Sequence, residues 1–396
     1  MLNPLTWISR KRFPYEPLIR LEISRHAIIN NLDQFRKLAP HGTVAPVLKS
    51  YAYGHGLFEV ANILEKYRHN SKGARNTDGI GTVPFFVIDS YFEAVALRSQ
   101  GIKTPLLVIG YCRPETILAS RLNSVAFTIG SIESLQELED TEHPIAIHLK
   151  IDTGMHRQGI LIDEVPKAIE LLAENPEIVI QGLCSHLSDA DNDDPSFTEG
   201  QINTWNRVVS HFKNEFPSLK YFHLGATYGH RFTPDIDANV SRLGLGLYGL
   251  VDGSQFPEKM SLIPALKMQT IITSLKKLHR DDSVGYSGTF RAERDMTVAI
   301  IPVGYYEGID RRLSNCGFVQ VGPNNVTCPI IGNVSMNMTT IDVSHVDDIK
   351  QEMEVTIFSN DMNDRNSISS LAREGKLLPY ELVVHIPAVL KRTVVE

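Results

Sequence analysis

The sequence predicts an α/β domain followed by an all-β domain. The first is an N-terminal (β/α)8 TIM barrel over residues 14–255, and the second is a mostly antiparallel β-strand C-terminal domain over residues 256–396. In the first part, eight short apolar runs alternate with segments of helical periodicity, which is typical of a parallel barrel. After Phe256 the runs are rich in Val, Ile and Thr, and turn residues separate them, which indicates antiparallel strands. We expect residues 1–13, and a strand over residues 18–23, to pack with the second domain.

The barrel elements follow from the apolar runs and the helical segments between them. The runs cover residues 44–49, 84–88, 105–109, 125–129, 145–151, 179–186, 221–226 and 240–248. Helical segments are expected over residues 57–67, 90–99, 114–120, 132–138, 164–174 and 197–216. The polar, Gly- and Asn-rich stretch 69–81 predicts a surface loop. Helical pattern is weak over residues 229–239, so the last barrel unit is the least regular.

The second domain is built from strands with few helices. Its apolar runs cover residues 266–278, 296–302, 317–321, 335–343 and 354–358, and one short helix is expected over residues 367–373.

Composition and charge exclude several function classes. Counting 39 Lys and Arg against 46 Asp and Glu gives 39 − 46 = −7, so no excess positive charge favours nucleic acid or an anionic membrane. No apolar stretch reaches membrane-spanning length, and the first residues lack the pattern of a secretion signal. The four widely spaced cysteines show no metal-ligand pattern. We expect a cytoplasmic protein without a metal site, whose cysteines are buried or incidental thiols.

The carboxyl ends of the predicted barrel strands carry a set of polar residues, and barrel active sites lie at those ends. They are Lys49 after the first strand with Tyr53 in the following loop, Lys150 and Asp152 with Arg157 after the fifth, His186 after the sixth, Thr227 after the seventh, and Arg242, Gly244 and Leu245 at the eighth. Several of them have a plain alternative: Lys49 as a solvated lysine, His186 as a core histidine, Arg157 as a surface charge, and Gly244, together with the nearby Gly246, as a packing glycine. A lysine that can form a Schiff base, together with a phosphate cradle on the same edge, points to pyridoxal phosphate.

Six segments resemble one known family in order along the chain. These are VLKSYAYGHG, LKIDTGMHRQG, NVSRLGLGLYG, SVGYSGTF, IPVGYYEGIDRRLSN and IIGNVSMNMTTIDVS. The chain resembles the alanine racemases, which are fold-type III pyridoxal phosphate enzymes. The resemblance implies interconversion of L-alanine and D-alanine by a two-base mechanism, with D-alanine supplied for peptidoglycan.

The resemblance also implies a role for each matching residue. Lys49 binds the cofactor as a Schiff base and is one base, and Tyr286 is the other. The family contributes this tyrosine and Met336 from the partner subunit, so a homodimer is expected. For the cofactor, the resemblance implies phosphate binding by Tyr53, Thr227, Gly244 and Leu245, contacts near the ring by Arg157 and His186, and a hydrogen bond from Arg242 to the pyridine nitrogen. For the substrate, it implies carboxylate binding by Arg157 and Met336 and a place at the entrance for Tyr305. It also implies carbamylation of Lys150, which occurs in some relatives.

The sequence departs from the family pattern at positions that bear on the substrate. Ala388 stands where many relatives have a tyrosine that touches the cofactor phosphate and narrows the pocket, and Asn337 replaces a common aspartate. These changes leave open a racemase for a larger or polar amino acid, such as serine, lysine or ornithine. A fold-type III decarboxylase is the more distant alternative, because the chain has no Gly-Gly-Gly run and no recognisable catalytic cysteine segment.

Overall fold

A computed structural model of the chain describes residues 16–39, 43–70, 83–139 and 141–396. The chain divides into two compact units. The barrel unit is Ser24–Ala265 with the terminal Glu396, and the β unit is Leu266–Val395 with the described residues before Ser24. Strand β1 (Arg20–Ser24) is hydrogen-bonded into the sheet of the β unit. The predictions for residues 1–13, and for all of the stretch 69–81 beyond Asn70, lie outside the described residues.

Eight short parallel strands form the barrel. They are β2 (Val44–Pro46), β3 (Phe86–Ile88), β4 (Leu106–Val108), β5 (Val125–Ile129), β6 (Ile145–Lys150), β7 (Ile178–Cys184), β8 (Tyr221–His223) and β9 (Ser241–Leu243). Strands β3 to β8 form a six-stranded parallel sheet, and β2 pairs with β9. A bridge between Val47 and Val87 joins β2 to β3, and the amide of Val240, which directly precedes β9, donates to the Phe222 carbonyl of β8 at 3.2 Å. The circuit is therefore closed, and the predicted barrel is confirmed.

The predicted helices between the strands are also confirmed, with ends shifted by a few residues. The helices of this unit are α1 (Arg25–Leu38), α2 (Leu57–Asn70), α3 (Tyr91–Ser99), α4 (Pro114–Ala119), α5 (Ile132–Gln136), α6 (Val165–Glu174) and α7 (Ser196–Glu215). Helix α1 was not among the predictions, and the Ser24 side chain caps it by accepting from the Ala27 amide at 3.1 Å. The weak helical pattern after β8 corresponds to a 3₁₀ segment, Tyr228–Asp235, which contains Pro234.

Apolar side chains fill the barrel interior. The buried cluster takes residues from most of the strands: Ala45, Val47, Phe85, Val87, Leu107, Ala126, Tyr221 and Val240. Because this layer is packed, a ligand can enter only at an end of the barrel. The polar residues that follow the strands are therefore the relevant ones for a site.

Besides β1, the strands of the β unit are β10 (Leu266–Ile271), β11 (Ser274–Leu278), β12 (Ser283–Val284), β13 (Phe290–Arg291), β14 (Met296–Ile301), β15 (Phe318–Val321), β16 (Val326–Ile331), β17 (Thr339–Asp342), β18 (Glu354–Phe358) and β19 (Arg392–Val395), and its helices are α8 (Ile368–Gly375) and α9 (Pro379–Val384). Nine of these strands form one sheet in the order β11-β14-β17-β16-β15-β18-β10-β1-β19, and β12 pairs with β13. The pairings of β10 with β18 and of β14 with β17, for example, are antiparallel, as predicted.

Several details of the β unit differ from the prediction, since strands β12, β13, β16 and β19 and helix α9 were not among the expected elements. The run 266–278 is not one strand, because β10 pairs with β1 and β18 whereas β11 pairs with β14. Strand β16 was missed because it contains Pro329, and proline inside a run argues against a strand. The partner strand β15 still pairs along β16, with Phe318 opposite Pro329.

No helix in the described ranges is long and apolar enough to cross a membrane. All four cysteines are free thiols, and Cys184 and Cys328 are buried, which agrees with the prediction.

Candidate active site

Lys49 lies just beyond the first barrel strand and not on it. Strand β2 ends at Pro46, and Lys49 begins a turn in which Ser50, Tyr51, Ala52 and Tyr53 have φ angles of 56°, 58°, 52° and 52°. Four consecutive left-handed residues are unusual, because each costs about 1–2 kcal/mol in an L-amino acid. The predicted strand end at residue 49 is thus wrong. Lys49 and Tyr53 belong to one left-handed turn at the carboxyl end of the strand.

The ring of Tyr53 lies against the chain that follows the last barrel strand. A Cβ on Gly244 would lie 2.7 Å from the Tyr53 hydroxyl oxygen, so only glycine permits this approach. Gly244 precedes the short 3₁₀ helix that begins at Leu245. The Thr227 hydroxyl accepts from the Gly246 amide at 3.2 Å. The four predicted phosphate ligands therefore come together around one helix N-terminus, a place that suits an anion.

Gly246 has a different role from Gly244. A Cβ at this position would overlap the ring of the buried Phe35 from helix α1. The packing alternative raised for the glycines of this segment therefore holds for Gly246.

Arg242 is 7% exposed and donates hydrogen bonds from both terminal nitrogens. One nitrogen donates to the His223 Nδ1 at 2.6 Å and to the His223 carbonyl at 2.7 Å. The other donates to the Ser185 carbonyl at 2.6 Å and to the His186 Nδ1 at 3.1 Å. Because guanidinium has only donors, the His223 Nδ1 must carry a lone pair, and its Nε2–H then donates to the His148 Nδ1 at 2.7 Å.

The histidines of this network are neutral. Burial, followed by the positive charge of Arg242, lowers the pKa of His148 to about 3. Burial, followed by Arg242, also holds the pKa of His223 and of His186 well below the ordinary 6.5. Burial lowers the pKa of the Arg242 guanidinium as well. The positive charge of the cluster is thus concentrated on one guanidinium, that of Arg242 in the middle of β9.

The loop after β6 carries the next group of predicted residues. Burial, followed by the charges of Arg242 and Arg157, lowers the pKa of Lys150, while Cys184 and Asp152 oppose that shift. Asp152 shapes the loop by accepting from the Gly154 amide at 2.9 Å and from the His156 amide at 3.1 Å.

Arg157 follows in the same loop and is exposed. Among the described residues its guanidinium has no hydrogen bond or ion pair, so it is available to an anionic ligand.

Gln201 on helix α7 is a buried residue of this region that the sequence reasoning missed. Its side-chain oxygen accepts from the Ser188 amide at 2.9 Å, and its nitrogen donates to the His186 carbonyl at 3.2 Å and to the Thr153 hydroxyl at 3.4 Å. It therefore ties the loop that carries Arg157 to the segment that carries His186. A signal was present in the sequence, since Gln201 interrupts the apolar stripe of its helix.

The β unit brings a second group of predicted residues around one cavity of about 680 Å³. Tyr286, Tyr305 and Met336 are 72%, 43% and 56% exposed, and all three line this cavity. Tyr286 lies between Gly285 and Ser287, whose φ angles are 70° and 64°, and its carbonyl accepts from the Asn333 side chain at 2.8 Å. The cavity is also lined by Asp310, Arg311, Glu381, Leu382 and His385.

Family models match both parts of the chain. The model described as the alanine racemase N-terminal domain matches residues 23–252, and the one described as the alanine racemase C-terminal domain matches residues 265–394. The chain therefore belongs to the alanine racemase family, a class of isomerases.

Individual relatives cover nearly the whole chain. Alanine racemase 2 of Oceanobacillus iheyensis is 30% identical over 367 residues, which is 91% of this chain and 89% of the relative. The alanine racemase of Staphylococcus carnosus is 30% identical and covers 92% of each chain. The crystal structure of alanine racemase from Bacillus anthracis with bound L-Ala-P has a TM-score of 0.84 at 25% identity, covering 97% of this chain and 96% of the other.

Proposed function

We propose that the protein is a pyridoxal phosphate-dependent racemase that interconverts L-alanine and D-alanine. The observation that carries this proposal is the set of polar residues at the carboxyl end of the barrel in a chain of the alanine racemase family. Lys49, Tyr53 and Gly244 lie at this end, next to a guanidinium whose charge no carboxylate among the described residues neutralises. A group with a phosphate at one end and an aromatic nitrogen at the other matches these donors.

The donors fit the cofactor in detail. The amine of Lys49 would link to it, and Tyr53, Thr227, Gly244 and Leu245 would bind its phosphate. Both terminal nitrogens of Arg242 are engaged by protein acceptors, whereas Nε has no partner among the described residues. That Nε–H is the group we assign to the pyridine nitrogen. Bound there, pyridoxal phosphate would withdraw electrons from the substrate and make its Cα–H bond acidic.

Substrate binding is assigned to residues from both groups. Arg157 and the backbone N–H of Met336 would bind the substrate carboxylate, and Tyr305 would line the entrance. We propose that Met336 and Tyr286 reach the site from the partner subunit of a homodimer. His186, held neutral by burial and by Arg242, would lie beside the ring as an uncharged hydrogen-bonding group.

Racemisation requires a proton to leave one face of Cα and another to arrive at the opposite face. We assign these faces to the Lys49 amine and the Tyr286 hydroxyl, which act as base and acid in turn. Arg157 would stabilise the negative charge that develops nearby. A carbamate on Lys150 would supply a counter-charge to Arg157, and the lowered pKa of Lys150 supports this because only a neutral amine forms a carbamate. We place the enzyme in the cytoplasm, with D-alanine for peptidoglycan as its product.

The test is a racemisation assay on the purified protein supplied with pyridoxal phosphate. L-Alanine and D-alanine are incubated separately, and both must approach the same equal mixture because enantiomers have equal free energy. L-Serine, L-lysine and L-ornithine are assayed in parallel. Rapid formation of D-serine or D-lysine without D-alanine would contradict the alanine assignment, and release of carbon dioxide without racemisation would contradict the racemase assignment.

A racemase for a larger or polar amino acid is the second candidate. Two carboxylates, Asp310 and Glu381, line the cavity of the β unit and could face a basic side chain. Both are partly engaged, however: Asp310 accepts from the Arg312 guanidinium at 3.0 Å, and Glu381 accepts from the Leu378 amide at 2.9 Å. The small side chain of Ala388 also favours a roomier pocket. The lysine and ornithine arms of the assay decide between the candidates.

A further inference from the structure

Two segments of the β unit meet at the rim of the cavity. The Tyr305 amide donates to the Ser335 carbonyl at 3.0 Å, and the Tyr306 amide donates to the Met336 carbonyl at 2.9 Å. The segments approach so closely that a Cβ on Gly304 would overlap the Ser335 carbonyl oxygen. One segment carries Tyr305 and the other carries Met336.

A single carboxylate joins these segments. Glu307 is 8% exposed, and one of its oxygens accepts from the Gly304 amide at 2.9 Å in its own segment. The other oxygen accepts from the Asn337 side-chain nitrogen at 2.6 Å in the opposite segment. Hydrogen bonds to an ionised acceptor are shorter and stronger than neutral ones, so this pair holds the two segments in one register.

We propose that Glu307 and Asn337 are a positioning pair that fixes Tyr305 and Met336 at the rim of the cavity for substrate binding. This inference rests on the function proposed above. The side chains of Tyr305 and Met336 are about half exposed, so core packing does not fix them. Their position follows from the backbone of the two segments, which the pair connects. Neither Glu307 nor Asn337 lines the cavity itself.

The pair is complementary because one member is a carboxylate and the other is an amide donor. Asn337→Asp places a second carboxyl within hydrogen-bonding distance of the first. Two carboxylates this close cannot both ionise without a large cost, so they share one proton at low pH and repel each other once it is lost. We expect kcat/KM of this variant for alanine, divided by that of the wild type at the same pH, to fall by about 100-fold as pH rises. A loss of this size is the scale of a 1 Å misplacement. Much of the fall should come from a higher KM.

A second substitution restores the complementarity with the roles reversed. In the double variant Asn337→Asp with Glu307→Gln, the new amide oxygen can accept from Gly304 and its nitrogen can donate to the new carboxylate. We expect kcat/KM to return close to that of the wild type and the added pH dependence to disappear. The other ionisable residues that line the cavity are the same in every variant, so they contribute equally to each pH profile of kcat/KM. They are Asp310, Arg311, Glu381 and His385.

The outcomes separate the two proposals. Wild-type protein that racemises no amino acid removes the proposed function and this inference with it. If the wild type is active and the kcat/KM of Asn337→Asp runs parallel to that of the wild type at every pH, the positioning pair alone is overturned. A double variant as impaired as the single one also overturns it. Circular dichroism and thermal unfolding at each pH identify loss of fold. If Asn337→Asp unfolds at neutral pH, its activity at low pH and that of the double variant still decide the question.

Discussion

Acid should destabilise the barrel through its buried histidines, and His230 offers the cleanest measurement. Its Nδ1 donates to the Thr227 carbonyl at 2.9 Å, and its Nε2 accepts from the Ser241 hydroxyl at 2.9 Å. It is 2% exposed, and burial lowers its pKa to about 4, although hydrogen bonds to the Thr227 and Ala226 carbonyls oppose that shift. The folded protein therefore keeps this ring neutral at a pH where the unfolded chain protonates it.

The direction of the effect follows from proton uptake. Below the unfolded pKa of about 6.5 the unfolded state binds a proton that the folded state does not, so the stability contributed by this group is present above that pH. It is lost as pH falls from 6.5 towards the folded value near 4. For one such group the loss between pH 7.5 and pH 5 is about 2 kcal/mol.

The assay is urea unfolding at both pH values, followed by the fluorescence of Trp205, which is fully buried in helix α7. The quantity compared is the change in unfolding free energy between the two pH values. His230→Gln should reduce that change by about 2 kcal/mol. His211→Gln removes an exposed histidine from α7 and should leave it as in the wild type. Equal pH dependence in wild type and His230→Gln would refute the reasoning.

Three further substitutions, one of them with a matched control, test the site and its packing. Lys49→Ala should remove the visible absorbance that pyridoxal phosphate has when bound to an amine, and racemisation with it; a retained band would exclude Lys49 from that role. Tyr286→Phe should slow proton removal from one alanine enantiomer more than from the other, as measured by deuterium exchange at Cα, and equal slowing would contradict the assignment of opposite faces. Gly246→Ala should cost about 1–3 kcal/mol in unfolding free energy, because the added methyl overlaps Phe35. The control is Gly200→Ala, where a methyl group has open space in helix α7 and should stabilise the protein by about 0.5–1 kcal/mol. If Gly246→Ala gives a similar result, the overlap between its methyl group and Phe35 relaxes without cost.

Local patterns in the sequence were sufficient to predict most of the fold. The eight apolar runs became the eight barrel strands, because a strand buried on both faces needs a short continuous apolar segment. The order of the strands around the barrel followed from the alternation with helices. Strand β16 escaped prediction because Pro329 contradicts the local pattern, and only its pairing with β15 and β17 makes it a strand.

The site was predictable in outline, since barrel geometry directs attention to the residues that end each strand. Lys49, Thr227 and Arg242 were found in this way. In the structure Lys49 and Thr227 lie beyond the ends of their strands, and Arg242 lies within β9. The left-handed turn after Lys49 could not be inferred, because none of the four residues from Ser50 to Tyr53 is glycine. Its conformation depends on hydrogen bonds such as that from the Ala52 amide to the Leu48 carbonyl at 2.8 Å.

The sequence by itself determined the two-domain order, the barrel strands and the chemical types present at their carboxyl ends, because hydrophobic periodicity and strand ends are local properties. Tertiary structure alone decided which polar groups meet. The protonation state of His223 depends on Arg242, the loops of the barrel are joined by Gln201, and Glu307 bonds to Asn337 thirty residues away. These interactions join segments distant in the chain, so no local pattern encodes them. Their strength comes from burial, which makes an unpaired polar group costly and so selects one arrangement.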